Sequence, residues 1–189
     1  AKLGPTRLTE EQHQVIASLL KGSRLVILTG GPGTGKTTTI RSLIACLEAL
    51  QISYALCATT GRASKQLASA TGHRAATVHR HLGIGMSRSE IRPISESVLV
   101  IDEASMIDLC LFHEILLRVR RHTHLLLVGD VDQLPSVGPG AILQDLISAA
   151  EEEHMPGIHV TRLRHIFRQE AGERSMIGVN CHRVRLGER

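Results

Sequence analysis

Apolar positions in this chain fall into two alternating arrangements. Short blocks are apolar nearly throughout: Leu25 to Thr29, Ser53 to Ala58, Val98 to Ile101, His124 to Val128 and Ile158 to Leu163. Between them, apolar residues recur every three or four positions, first at Val15, Ile16, Leu19 and Leu20, then after Lys36, from Arg62 to Ala70, from Leu109 to Val119 and from Ala141 to Ala150. The first pattern is that of strands buried on both faces and the second that of amphipathic helices. Strands alternating with helices predict an α/β fold, a mostly parallel sheet with helices on both faces.

Polar residues punctuate these elements. Thr9-Glu10-Glu11-Gln12 has the spacing of a capping box, with Gln12 at the third helical position, and Gly22 closes that helix. Thr59-Thr60-Gly61 opens the helix at Arg62, and Gly138-Pro139-Gly140 turns the chain into the helix at Ala141. Thr77 to Gly83 reads as a short helical piece, Gly83 to Ser97 as a polar connector, Glu151 to Glu153 as a solvated helix end, and the chain after Arg168 as a final helical stretch through Val184.

Chemistry is densest after the first strand. GGPGTGKT places Gly30, Gly35, Lys36 and Thr37 at the fixed positions of a phosphate-binding loop. A triphosphate has to be met by several backbone N–H groups at once, and the missing Cβ atoms of Gly31, Gly33 and Gly35 permit that approach. The following helix points its free N–H groups and positive end at the phosphates, Lys36 adds a mobile cation, and the Thr37 hydroxyl is placed to ligate Mg²⁺.

Two further strands end in polar residues. Val98 to Ile101 runs into Asp102 and Glu103, an acid suited to a metal shell and an acid suited to deprotonating an attacking water. The strand ending at Val128 runs into Gly129-Asp130-Val131-Asp132-Gln133, where Gln133 is placed to sense a γ-phosphate and Asp130 and Asp132 to hold the loop. In a parallel sheet all these loops leave the same edge. Gln12 reads either as a cap or as a base contact, Arg62 and Lys65 as phosphate grips or a solvated face, and Arg168 as a candidate arginine finger. His79 and His81 alone make a weak metal pair.

Composition narrows the partners. The chain has 189 residues, 42% of them hydrophobic, enough for one sizeable core. Its net charge of +4 favours a polyanion, but aromatic residues make up only 2%, so phosphate contacts outweigh base stacking in any single-strand interface. Cys46, Cys57, Cys110 and Cys181 show neither zinc nor disulfide spacing, which suits a reducing compartment. No apolar run reaches the length of a membrane span, and a cytoplasmic location is expected.

The ordered motifs resemble the first motor domain of RecD-like superfamily 1 DNA helicases, the family of the exodeoxyribonuclease V alpha subunit. The likeness rests on TEEQ, GGPGTGKTT, TTGRASKQL, TVHRHLG, VIDEASM, VGDVDQLPSVGPG and FRQ, and runs to NCHRVRLGE. It implies a RecA-like domain over residues 1–189, ATP and Mg²⁺ as cofactors, and 5′ to 3′ movement on single-stranded DNA. It also implies nucleotide contacts from Gln12, Gly31, Pro32, Gly33, Thr34, Gly35, Lys36, Thr37 and Thr38, with Gln12 on adenine. Mg²⁺ falls to Thr37 and Asp102, and catalytic roles to Lys36, Asp102, Glu103, Gln133 and Arg168. Single-stranded DNA falls to Thr60, Gly61, Arg62, Thr77 and His79.

The sequence departs from the family pattern at Thr59, usually Pro, and at Ser64, where a small Ala is common. Family members carry a second RecA-like domain with motifs V and VI, expected outside these residues, and some act with helicase–nuclease subunits. Hydrolysis by residues 1–189 alone is therefore expected to be weak or absent. Two other classes compete with the motor: a non-motor P-loop NTPase switch and a nucleotide-gated DNA-binding module without turnover.

Overall fold

Thr9 opens the first helix through the reciprocal cap that its spacing predicts: its hydroxyl accepts from Gln12 N, while Gln12 Oε1 accepts from Thr9 N at 3.0 Å. The structure is a computed structural model that describes residues 8–85, 93–152, 155 and 157–165. From Thr9 the chain runs α1 (Glu10–Leu20), β1 (Leu25–Thr29), α2 (Lys36–Ala49), β2 (Tyr54–Ala58), α3 (Gly61–Thr71), β3 (Ala75–Thr77) and α4 (Val78–Leu82). It continues through β4 (Val98–Asp102), a 3-10 turn (Ala104–Met106), α5 (Leu109–Arg118), β5 (His124–Gly129), α6 (Ile142–Glu151) and β6 (Ile158–Arg162).

The six strands form one sheet in the order β3-β2-β4-β5-β1-β6, and every pairing is parallel. Alternate side chains divide between its faces. Val26, Leu28, Val98, Val100, Leu126 and Val128 pack with Val15 of α1, Ile40 and Leu43 of α2 and Leu67 of α3. Ile27, Leu99, Ile101, Leu125 and Leu127 pack with Leu82 of α4, Ile115 of α5, and Leu143 and Ile147 of α6. This is the expected RecA-like α/β architecture, with helices covering both faces.

The register carries the functional consequence. Thr29 pairs with Gly129, and Ala58 pairs with Asp102. Since β4, β5 and β1 are neighbours in the sheet, the loops starting at Gly30, Glu103 and Asp130 leave from adjacent strand ends.

Several local expectations shift. The third helix begins at Gly61 rather than Arg62, because Thr60 is its cap and accepts from Ala63 N. β3 was absent from the sequence pattern: Ala-Ala-Thr presents too little apolar area to register as a strand, and pairing with β2 makes it one. Buried Arg118 ties both ends of the connector to the core. Its Nε donates to Leu82 O at 2.9 Å, and its own carbonyl accepts from Ile94 N at 2.9 Å. Glu151 is not merely solvated, since it pairs with Arg162 of β6 at 2.7 Å. The final helical stretch through Val184 lies outside the described residues. Among those described, no helix is long and apolar enough to cross a membrane.

Gly129 marks where β5 has no room. A Cβ there would stand 2.8 Å from Leu143 Cδ2 and 3.1 Å from Ser105 N. Gly129→Ala is expected to lower unfolding free energy by about 1–3 kcal/mol. Gly61→Ala, at a helix start with nothing within 4 Å of the added carbon, should shift it by less than about 0.5 kcal/mol. Chemical denaturation of both variants checks the contrast.

Candidate active site

The glycine-rich loop is shaped by close approach as well as by positive φ. Gly33 and Gly35 lie at φ 79° and 94°, and a Cβ on Gly30 would meet Thr34 Oγ1 at 2.8 Å and Leu163 O at 2.9 Å. Thr34 is buried, and its hydroxyl donates to Gly31 O at 2.8 Å, closing the loop on itself. Gly35 caps α2, and its carbonyl accepts from Thr39 N and Thr39 Oγ1 at 2.9 and 3.0 Å and from Gln12 Nε2 at 3.3 Å. Gln12 is only 1% exposed, so it is at once the cap of α1 and a strut beneath the cradle. Pro32 and Thr37 are exposed, and Thr38 is half-buried.

Lys36 lies back over the loop, its Nζ donating to Gly30 O at 2.5 Å and Gly31 O at 3.0 Å. Burial pushes its pKa down, while Asp130, Asp102 and Glu103 hold it up. One ammonium therefore feels carboxylates from two other strands, and the backbone agrees: Gly30 N donates to Gly129 O at 3.3 Å, and a Cβ on Gly129 would stand 3.1 Å from Ser105 N, which joins the three loops at one site. Burial in turn pushes the carboxyls of Asp102 and Glu103 above their ordinary range. For Asp102 a bond from Glu103 N and the charge of Lys36 oppose that rise. For Glu103 the neighbouring Asp102 adds to it.

Glu103 is one of two non-glycine residues described with positive φ, at 54°. A left-handed backbone costs an ordinary residue about 1–2 kcal/mol. Bonds on both sides of the residue hold it: Glu103 N donates to Asp102 Oδ1 at 2.9 Å, and Glu103 O accepts from Met106 N at 3.1 Å and Thr59 Oγ1 at 3.3 Å.

The loop after β5 is braced as expected for Asp130, which is buried. Its Oδ1 accepts from Asp132 N at 3.1 Å and its carbonyl from Gln133 N at 3.2 Å. The Gln133 side chain is exposed. Farther along, Leu109 N donates to Pro139 O at 2.8 Å, anchoring the loop to the start of α5.

The residues suit a metal-bound nucleotide. A Cβ would fill the cradle at Gly30, and carboxylates outnumber the single ammonium among them, a donor set matched to a hard divalent cation. The Thr29 and Ser105 hydroxyls, beside the cradle and just after Glu103, are buried without a partner in the described structure.

Residues expected on DNA gather one strand over. Thr60, two residues past the end of β2, caps α3, and Thr77, the last residue of β3 and paired with Ala58, caps α4, while Gly61, Arg62 and His79 are exposed. Thr60 and His79 share a cavity of about 250 Å³ with Thr59, Met106, Asp108 and Glu114. Asp108, which sequence reasoning missed, caps α5 through Leu111 N at 2.7 Å. Its signal was legible: an Asp directly before an apolar helical run. Arg168 lies outside the described residues.

Comparison with known proteins adds an independent line. The AAA domain family profile matches residues 7–186. The chain is 42% identical over 167 residues to the ATP-dependent RecD2 DNA helicase of Deinococcus radiodurans, covering 87% of this chain and 22% of that protein. It is 35% identical over 191 residues to the RecBCD enzyme subunit RecD of Mycolicibacterium smegmatis, covering 86% and 34%. The chain thus spans about a fifth to a third of these relatives. Among solved structures, a Pif1 helicase from Candida albicans superposes with TM-score 0.60 at 27% identity, over 92% of this chain and 43% of that one. A Bacteroides Pif1 complex with ADP-AlF4 gives 0.64 at 23%, over 95% and 46%, and supports the fold.

The raised Glu103 carboxyl has a consequence for stability. The folded state holds this proton more tightly than the unfolded chain, so the contribution of Glu103 to stability is fully present below the ordinary value of 4.5 and is lost as pH rises through the raised one. Glu103→Gln, which keeps the shape and removes the charge, is expected to raise the melting temperature of the ligand-free protein near pH 7 and to lose that gain near pH 4. A thermal melt at each pH checks this.

Proposed function

The chain belongs to the AAA domain family as a RecD-like motor domain of superfamily 1, and on that premise we propose that residues 1–189 form the ATP-binding motor domain of a 5′ to 3′ DNA helicase. One observation carries the reading: β4, β5 and β1 are parallel neighbours and Gly30 N donates to Gly129 O at 3.3 Å, so the three loops that a nucleotide triphosphate requires leave one edge of the sheet, around Lys36.

In this reading the N–H groups of Gly31, Gly33, Thr34 and Gly35, in the turn that Pro32 shapes, and the first turn of α2 at Thr37 and Thr38 receive the phosphates. Lys36 exchanges its bonds to the Gly30 and Gly31 carbonyls for phosphate oxygens. Thr37 and Asp102 would hold Mg²⁺, which supplies charge neutralisation across the phosphates. Glu103, with its proton affinity raised by burial, accepts a proton from the attacking water more readily than an ordinary carboxylate. Gln12 meets adenine by exchanging its bonds to Thr9 N and Gly35 O for the base, Gln133 senses the γ-phosphate, and Arg168 contributes a cation to it.

Movement belongs to a longer protein. A second motor domain closes over the nucleotide, parts after hydrolysis, and shifts the pair along single-stranded DNA held at Thr60, Gly61, Arg62, Thr77 and His79. The name of the RecBCD relatives suggests helicase–nuclease partner subunits, and a DNA substrate suggests the cytoplasm.

Mg²⁺-ATP at 100 times its Kd should stabilise the chain by about 2.7 kcal/mol in thermal shift, and Lys36→Ala should remove most of that response. In the longer parent protein, Glu103→Gln should abolish turnover while sparing ATP binding, and DNA affinity should fall steeply as salt rises. No thermal response to ATP or ADP would defeat the proposal at its root.

A further inference from the structure

Thr59 occupies an unusual position between the two candidate sites. β2 ends at Ala58, opposite Asp102, so Thr59 lies beside Glu103 just past the last paired residues. Its hydroxyl donates to Glu103 O at 3.3 Å, and Glu103 is held in the left-handed conformation. On its other side Thr59 immediately precedes Thr60, the cap of α3, and it lines the cavity shared with Thr60, His79 and Met106. Met106 closes the same turn from within, its N–H donating to Glu103 O at 3.1 Å. A ligand that fills this cavity thus touches both the residue that holds the Glu103 carbonyl and the end of the turn that carries Glu103.

We infer that Thr59 is a positioning residue whose single hydroxyl proton couples single-stranded DNA in the neighbouring cavity to the backbone of Glu103. A threonine hydroxyl donates one hydrogen bond at a time. A DNA phosphate arriving at the start of α3 competes with Glu103 O for that proton, and a nucleotide that draws Glu103 toward its γ-phosphate breaks the same bond from the other side. Whichever ligand binds first breaks the bond, and the second finds it broken. Each ligand therefore tightens the other, by thermodynamic reciprocity to the same extent. The inference rests on the proposed DNA contacts at Thr60 and His79.

The test uses residues 1–189, a fluorescent oligothymidylate and a non-hydrolysable ATP analogue with Mg²⁺. The Kd for DNA is measured with and without saturating analogue, and the Kd for analogue with and without DNA. The unsubstituted chain should show mutual tightening of about fivefold, the worth of one ordinary hydrogen bond. Thr59→Val, with Thr59→Ala as a second variant should the first not fold, should bring the ratio to unity and, with no bond left to break, should tighten binding of the analogue alone by about fivefold. Thr59→Ser, which keeps the donor, should restore it. Tightening that survives in Thr59→Val would overturn the inference, as would an unsubstituted chain that binds both ligands independently. Failure of the unsubstituted chain to bind DNA at all would instead overturn the DNA contacts on which it rests.

Discussion

Every strand of a parallel sheet ends on the same side, so loops that leave adjacent strands are compelled to share space. In this protein the adjacent strands are β4, β5 and β1, and the loops bring two acids, a buried aspartate and a glycine-rich turn to one place. The constraint is geometric, but charge shapes what it yields. Lys36 is half-buried, and burial alone would favour its neutral form; the surrounding carboxylates offset that tendency. The acids are in a similar position, since burial raises Asp102 and Glu103 and only the ammonium and a backbone N–H oppose it. A site with more buried carboxylates than cations is poised to receive positive charge.

The same edge is braced from outside the three loops. Gln12 reaches from α1 to the carbonyl of Gly35, so the cap of the first helix and the cradle are mechanically one unit. Thr59 reaches from the end of β2 to the carbonyl of Glu103, across the gap between the nucleotide loops and the residues expected on DNA. The start of α5 holds the far end of the β5 loop through Leu109 and Pro139. Each brace is a single bond to a backbone carbonyl. Such bonds fix loop shape at small cost and are individually weak enough to be exchanged for a ligand.

Much of this was legible from residue spacing. The limits of β1 and the start of α2 at Lys36 follow from an apolar block running into a glycine-rich turn, and the α1 cap follows from a local four-residue motif. Three features were not legible, for distinct reasons. β3 is too short and small to show a pattern and exists through its pairing with β2. Buried Arg118 looks like an ordinary polar helix end, and only the fold brings Leu82 O and Ile94 N to it. Gln12 reads from sequence as a cap or a base contact, and its bond to the cradle is in neither reading, because its cap partner lies three residues away and its cradle partner lies 23 residues away.

By itself the sequence determined the kinds of elements, their order, and the chemical groups at the end of each strand, since these depend on side-chain period and on conformations set within a few residues. The tertiary structure alone decided which strand ends are neighbours, that Asp130 shares the field of Lys36, and that Thr59 meets the backbone of Glu103. Those facts depend on crossover connections and sheet register, which join residues tens of positions apart and leave no trace in local spacing.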